Sequence, residues 1–152
     1  MSADDLFSRL NPVVVWILRS PLHVLLSAGL LLFTVTGRRS GRRYTIPVGY
    51  QRQGNRVTIL VSEAARKQWW RNYLEAGPAE LRIRGRDHEG RATVVDAGTE
   101  EFRESAAATL RRMPWLGRTF GIDYDRRAGL TSPQLEQLGR EIAIVRVELG
   151  GD

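Results

Sequence analysis

Alternation marks residues 56–62, where Val57, Ile59 and Val61 share one face. It recurs at 79–84, with Leu81 and Ile83 inward and Arg82 and Arg84 outward. A period of two is that of a half-buried strand. An apolar run at 30–35 predicts a buried strand ended by Gly37, and a β-branched and aromatic run at 44–50 predicts its hairpin partner. Residues 91–96 and 142–149 add two more strands. Turns are expected at Gln53-Gly54-Asn55 and at 85–90.

Helical patterns are few. Residues 67–75 predict a short helix stopped by Gly77-Pro78. Glu100 opens another, running to about Arg112, with acids in its first turn and Arg111-Arg112 in its last, as the helix dipole favours. Ser132-Pro133 opens a third, ending near Gly139, after an irregular stretch at 117–129. Near the start, Asn11-Pro12 leads into a helix over 13–18, and Pro21 opens one through Leu26. Residues 13–36 are almost all apolar, but Arg19, Pro21, His23 and Gly29 speak against a single membrane span. Two helices lying on the body of the protein, or on a membrane surface, are expected instead. Strands arranged as hairpins, with few helices, predict a mainly β (α+β) fold: a six-stranded split β-barrel with inserted helices over 29–150 and a helical segment over 1–28. The 152 residues suit a single domain.

Composition narrows the chemistry. The net charge of +6, carried almost wholly by arginine, favours anionic partners. The chain has no cysteine, which excludes disulfides, Cys-ligated metal and a Cys nucleophile, and suits the cytoplasm. With two histidines, a His-rich metal site is not expected. The acidic Asp4-Asp5 start is unlike a secretory signal. No Ser-His-Asp set, Walker loop or paired carboxylates can be read. Any hard chemistry then belongs to a cofactor.

The tip of the first hairpin is where an anion would be held. Arg38, Arg39, Ser40, Gly41, Arg42 and Arg43 form a tight basic turn. Gly37 and Gly41 can take positive φ, so backbone N–H groups can converge on one point beside a hydroxyl and guanidinium forks. A solvated loop whose charges protect a sheet edge is the competing reading.

Thr34-Val35-Thr36-Gly37-Arg38-Arg39-Ser40-Gly41 followed by Thr45-Ile46-Pro47-Val48, then Ser62, then Trp69-Trp70-Arg71-Asn72, resembles in order and spacing the deazaflavin-dependent nitroreductase family, which is similar to the flavin-binding split barrels. The likeness covers residues 30–95. It implies coenzyme F420 (8-hydroxy-5-deazaflavin) as cofactor, with FMN as the alternative, and hydride transfer to a quinone, nitro compound or similar electron-poor acceptor. By the resemblance, Arg38, Arg39, Ser40 and Gly41, with Arg43, hold the phosphate and acidic tail. Tyr44, Thr45, Ile46, Pro47, Val48 and Gly49 run along the ring, and Ser62, Lys67, Trp69, Trp70 and Asn72 close the other side. Adjacent helical residues point about 100° apart, so one indole is expected in the core and the other, Trp70, toward the ring. Tyr124 is a candidate substrate-side residue or proton donor, against the competing reading of a packed tyrosine. The sequence departs from the family at Tyr44, where a basic residue is usual, and at Glu63-Ala64-Ala65, where a Gly-rich loop usually wraps phosphate. Other readings are a non-enzymatic flavin, haem or lipid carrier, and a nucleic-acid binder using Arg82, Arg84, Arg86 and Arg91. The last ranks lowest, because the tryptophans lie off that stripe. No nucleic-acid partner is therefore expected. The chain is expected to be a monomer or homodimer in the cytoplasm, with peripheral membrane contact through its N-terminal helices as one alternative.

Overall fold

Each predicted strand is realised, and a seventh joins them. The computed structural model describes residues 29–150, so the N-terminal helices predicted within 12–26 lie outside the described residues. The strands are β1 (Leu30–Thr36), β2 (Arg43–Gly49), β3 (Gln51–Gln53), β4 (Arg56–Ser62), β5 (Gly77–Ile83), β6 (Arg86–Val95) and β7 (Ile142–Leu149). They form one antiparallel sheet in the order β2-β1-β5-β6-β7-β4-β3. A 3-10 segment (Trp69–Tyr73) follows β4, while α1 (Glu100–Arg112), α2 (Leu116–Thr119) and α3 (Ser132–Glu141) lie between β6 and β7. No helix among the described residues is long and apolar enough to cross a membrane.

The departures from expectation have local causes. Seven strands replace six because β3 is three polar residues long and carries no apolar alternation. β6 begins at Arg86, not Arg91, because the turn before it is only Arg84-Gly85, both with positive φ (49° and 79°). Two such residues make the tight hairpin turn that matches strand twist. Arg84 therefore sits in a turn and not on a strand face. Gly77-Pro78 opens β5 and does not merely stop a helix. Of the helix expected over 67–75 only the 3-10 segment forms. The stretch 117–129, expected to be irregular, contributes to α2 and carries an Asp125–Gly129 bridge.

The sheet buries both faces. Its inner face packs Leu31, Phe33 and Val35 of β1 against Val57, Ile59 and Val61 of β4, with Trp69 and Tyr73 inserted between. Phe33 meets the Trp69 ring at 5.1 Å and the Tyr73 ring edge-on at 5.6 Å, the tilted contacts that aromatic quadrupoles favour. On the outer face, Phe102, Ala106 and Leu110 of α1 pack with Leu138 of α3 on Ile144 and Val95. Thr99 caps α1 by accepting from the Phe102 N–H at 3.2 Å. Arg146 of β7 donates to Glu101 at 2.7 Å, a half-buried pair that fixes α1 to the sheet.

Candidate active site

The site grows out of the way β2 passes into β3. Gly49 still pairs with β1, whereas Gln51 already pairs with Thr58 of β4. Tyr50 is thus a corner at which the two ends of the sheet become covalently continuous. From this corner β2 and β4 diverge. Beyond Arg56–Thr58, the β4 edge facing β2 has no sheet partner among the described residues, nor has the β2 edge facing β4. At about 3.3 Å per residue, the split runs about 20 Å along β2 from the corner to Arg43. Pro47 is tolerated in β2 because β2 is an edge strand among the described residues.

At the corner end, α1 and α2 roof a cavity of about 430 Å³. Gly49, Tyr50, Gln51 and Leu30 line one side, Thr58, Leu60 and Ser62 of β4 the floor, and Thr109, Arg112, Met113, Leu116 and Phe120 the roof. Gln51 donates from Nε2 to the Thr109 hydroxyl at 2.9 Å, and that hydroxyl donates to the Ser105 carbonyl at 3.0 Å. This chain of bonds satisfies a buried polar residue and fixes the roof to the corner. Lys67 Nζ donates to Ser62 Oγ at 3.3 Å. With one lone pair so occupied, the Ser62 O–H is left to donate into the cavity. The space is mainly apolar with a few convergent polar groups, as small-molecule sites are.

At the other end lies the basic hairpin tip. Gly41 takes positive φ (67°), as expected; Gly37 does not. Gly37 is needed for closeness instead: a Cβ there would lie 2.9 Å from Ser40 Oγ. The expected convergence of free N–H groups is only partly met, because the turn consumes most of them itself. Gly37 donates to Arg42 O, Gly41 to Gly37 O, Arg42 to Ser40 Oγ and Arg38 to Asn72 Oδ1. Arg38 is paired with Glu75 at 2.8 Å, and Arg43 with Glu80. Among the described residues, Arg39 and Arg42 are the tip arginines whose guanidinium groups have no such partner.

The 3-10 segment docks on this tip. Trp69 is core, as one indole was expected to be. Trp70 is half-buried, donates from Nε1 to Ala64 O at 2.9 Å and carries the Arg71 guanidinium 5.2 Å over its ring. Asn72 also donates to Trp69 O at 2.9 Å.

The predicted residues therefore fall in separate places. Gly49 and Ser62 line the cavity and Lys67 reaches Ser62, whereas Trp70 and Asn72 belong to the segment docked on the tip. Ile46 and Val48 pack against the inner core, and Pro47 is buried. Tyr44, Thr45 and Arg43 line a broad trough of about 830 Å³ on the outer face, with Glu80, Asp87 and Glu89. Arg43 and Arg82 in the same lining are already paired with Glu80 and Asp87, and Glu89 adds a further carboxylate, so the trough offers a phosphate little free positive charge. Tyr124 packs partly buried against the outer core, and is not among the described cavity-lining residues. The arginine stripe is broken: Arg82 pairs with Asp87 at 3.2 Å, Arg84 sits in the turn, and Arg91 donates to Ala76 O. Sequence reading missed Tyr50, Gln51 and the roof. Thr109, an intrusion on the apolar face of α1, was the one signal pointing there. No group of metal-ligating residues occurs among the described residues.

A deazaflavin fits these residues. The apolar cavity suits a flat ring, its Ser62 hydroxyl suits a ring or acceptor oxygen, and Arg39 and Arg42 at the far end suit an acidic tail. Solved structures share the fold. An F420-H2 dependent reductase (FDR-A) superposes with a TM-score of 0.56 at 17% identity, over 79% of this chain and 94% of that one. A domain-swapped dimer gives 0.54 at 15% identity, over 89% and 98%. HutZ, a haem storage protein from Vibrio cholerae, gives 0.51 at 13% identity, over 88% and 92%. At these identities the likeness is one of fold, a mostly β, split-barrel-like architecture. No curated protein matches the sequence. Residues 21–114, more than half of the chain, match the profile of the F420H(2)-dependent quinone reductases. The chain belongs to the F420H(2)-dependent quinone reductase family, and is an oxidoreductase whose cofactor is F420.

Proposed function

We propose that the protein reduces quinones at the corner end of the split, with the deazaflavin ring in the cavity under α1 and its acidic tail along β2 toward Arg39 and Arg42. The observation that carries this reading is the covalent β2–Tyr50–β3 corner, which joins an apolar cavity and a basic tip by one open strand edge. When bound, the reduced deazaflavin supplies a hydride, and the reduction of a quinone also requires a proton. The protein's part is grip and exclusion. Leu60, Met113, Leu116 and Phe120 keep water from the ring. Ser62, held by Lys67, presents a hydroxyl donor to a ring or quinone oxygen. Among the described residues, the outer edge of β2 makes no ladder, so its N–H and C=O groups are available to the ring's polar rim. Electron-poor nitro compounds suit the same site. The same apolar cavity would take an FMN ring, and it is the family match that favours F420, with FMN as the control cofactor. Tyr124 is not among the described cavity-lining residues.

The residues form one domain, in our reading, acting in the cytoplasm as a monomer or homodimer. The domain-swapped neighbour makes the homodimer a concrete case to test by sedimentation. The activity itself is tested by mixing reduced F420 anaerobically with menadione and following the oxidised deazaflavin by its visible absorbance. Oxidation that depends on enzyme and on quinone is expected. Turnover with reduced FMN but not with reduced F420 would overturn the assignment.

A further inference from the structure

We propose that the cavity has a second, anion-recognising end, formed by Arg52, Arg84 and Arg112, which takes an acidic substituent on the quinone. The inference rests on the reading of the cavity as the quinone-reducing site. A depression of about 420 Å³ beside the corner is lined by Tyr50, Gln51, Arg52, Gly54, Ile83, Arg84 and Arg112, with no carboxylate among them. Tyr50, Gln51 and Arg112 also line the apolar cavity, so the two spaces meet at that wall.

Two details indicate that the basic end is built rather than incidental. Arg52 is held by donating from Nε to the Gly54 carbonyl at 2.9 Å, which keeps its guanidinium on the rim. Arg84 occupies the first place of the two-residue β5–β6 turn with φ of 49°. Asparagine or glycine suits that place, and a long side chain there is strained. A backbone outlier at the rim of a cavity points to use of its side chain. Among the described residues, neither Arg84 nor Arg112 forms a salt bridge. The hairpin tip lies at the opposite end of the split, so the cofactor's acidic tail and an acidic acceptor would not compete.

The test uses naphthoquinone sulfonate and uncharged menadione, each titrated calorimetrically into the full chain, wild type and Arg84→Asn. Asparagine tolerates the left-handed backbone, so the variant should melt no lower than wild type. Wild type is expected to bind the sulfonate about tenfold more tightly than menadione, and the variant to lose most of that preference. Arg52→Gln should lose part of it. Equal affinities in wild type, or a preference that survives Arg84→Asn, would overturn the inference. Weakened F420 binding in Arg84→Asn with quinone preference intact would overturn it too, by placing the cofactor's tail at this end. Because these titrations need no cofactor, a protein that prefers the sulfonate through Arg84 yet fails to bind F420 would sustain the anion site and refute the F420 reading.

Discussion

The backbone N–H of Arg38 donates to the side-chain oxygen of Asn72 at 3.0 Å, across 34 residues of chain. The basic hairpin tip is thereby fixed to the segment that follows β4. Asn72→Ala should cost about 1 kcal/mol by loss of this bond and of its partner to Trp69 O. It should also weaken F420 binding several-fold by loosening the tip. Urea unfolding and cofactor titration on the same variant check both effects.

The two adjacent tryptophans should differ in kind. Trp69 is 8% exposed and packs on Phe33, so Trp69→Ala should lose about 3–5 kcal/mol of stability. Trp70 holds the Ala64 carbonyl, two residues beyond Ser62. Trp70→Ala should keep the fold, lose about 1–2 kcal/mol, and weaken F420 binding. Equal stability losses with full cofactor affinity in both variants would remove this segment from the site.

Much of this architecture was legible in the sequence, and its limits are physical. β4 and β7 could be read to the residue, because Val57, Ile59 and Val61 alternate and the apolar run 142–145 passes into alternation through Val147 and Leu149. β3 could not, since Gln51–Gln53 has no apolar face and is a strand only because β4 lies beside it. The tip and the Trp69–Asn72 segment were readable as motifs, but their joining through Asn72 is tertiary. The cavity was the least legible part. Gln51 and Thr109 are 58 positions apart, and nothing local says they meet. The charge of the tip was overread for the same reason: Glu75 and Glu80, which neutralise Arg38 and Arg43, come from elements 37 residues away.

Glu63 follows Ser62 with φ of 51°, a backbone state that glycine adopts without strain. Its carbonyl accepts from both Arg66 and Lys67 N–H groups, which holds the turn. Glu63→Gly should raise stability by about 1 kcal/mol through relief of that strain, partly offset by the greater freedom of the unfolded chain. Removing this carboxylate beside the split should also tighten F420 binding. Thermal melts and cofactor titration give the two readouts, and a looser cofactor complex would show that Glu63 contributes to the site.

Tyr73 is buried, and burial raises its phenol above the ordinary 10.0, partly offset by a backbone hydrogen bond from Thr36. The unfolded chain ionises at the ordinary value, so the folded state holds its proton to higher pH. The associated stability is fully present below pH 10.0 and is lost as pH rises through the folded value. Tyr73→Phe should flatten this alkaline loss, while costing about 1 kcal/mol at neutral pH through the missing bond to Pro78 O. Urea midpoints measured from neutral to alkaline pH give the comparison.

Titration of F420 into wild type and Arg39→Ala tests most directly whether the deazaflavin lies along the split with its tail on the tip. Arg39 keeps its guanidinium free of carboxylates among the described residues, whereas Arg38 is already paired with Glu75. Arg39→Ala is predicted to weaken binding by roughly 1.5–3 kcal/mol, the scale of a charge-assisted hydrogen bond, with unfolding unchanged. A wild-type protein that binds F420 and an Arg39→Ala variant that binds it equally well would contradict the placement.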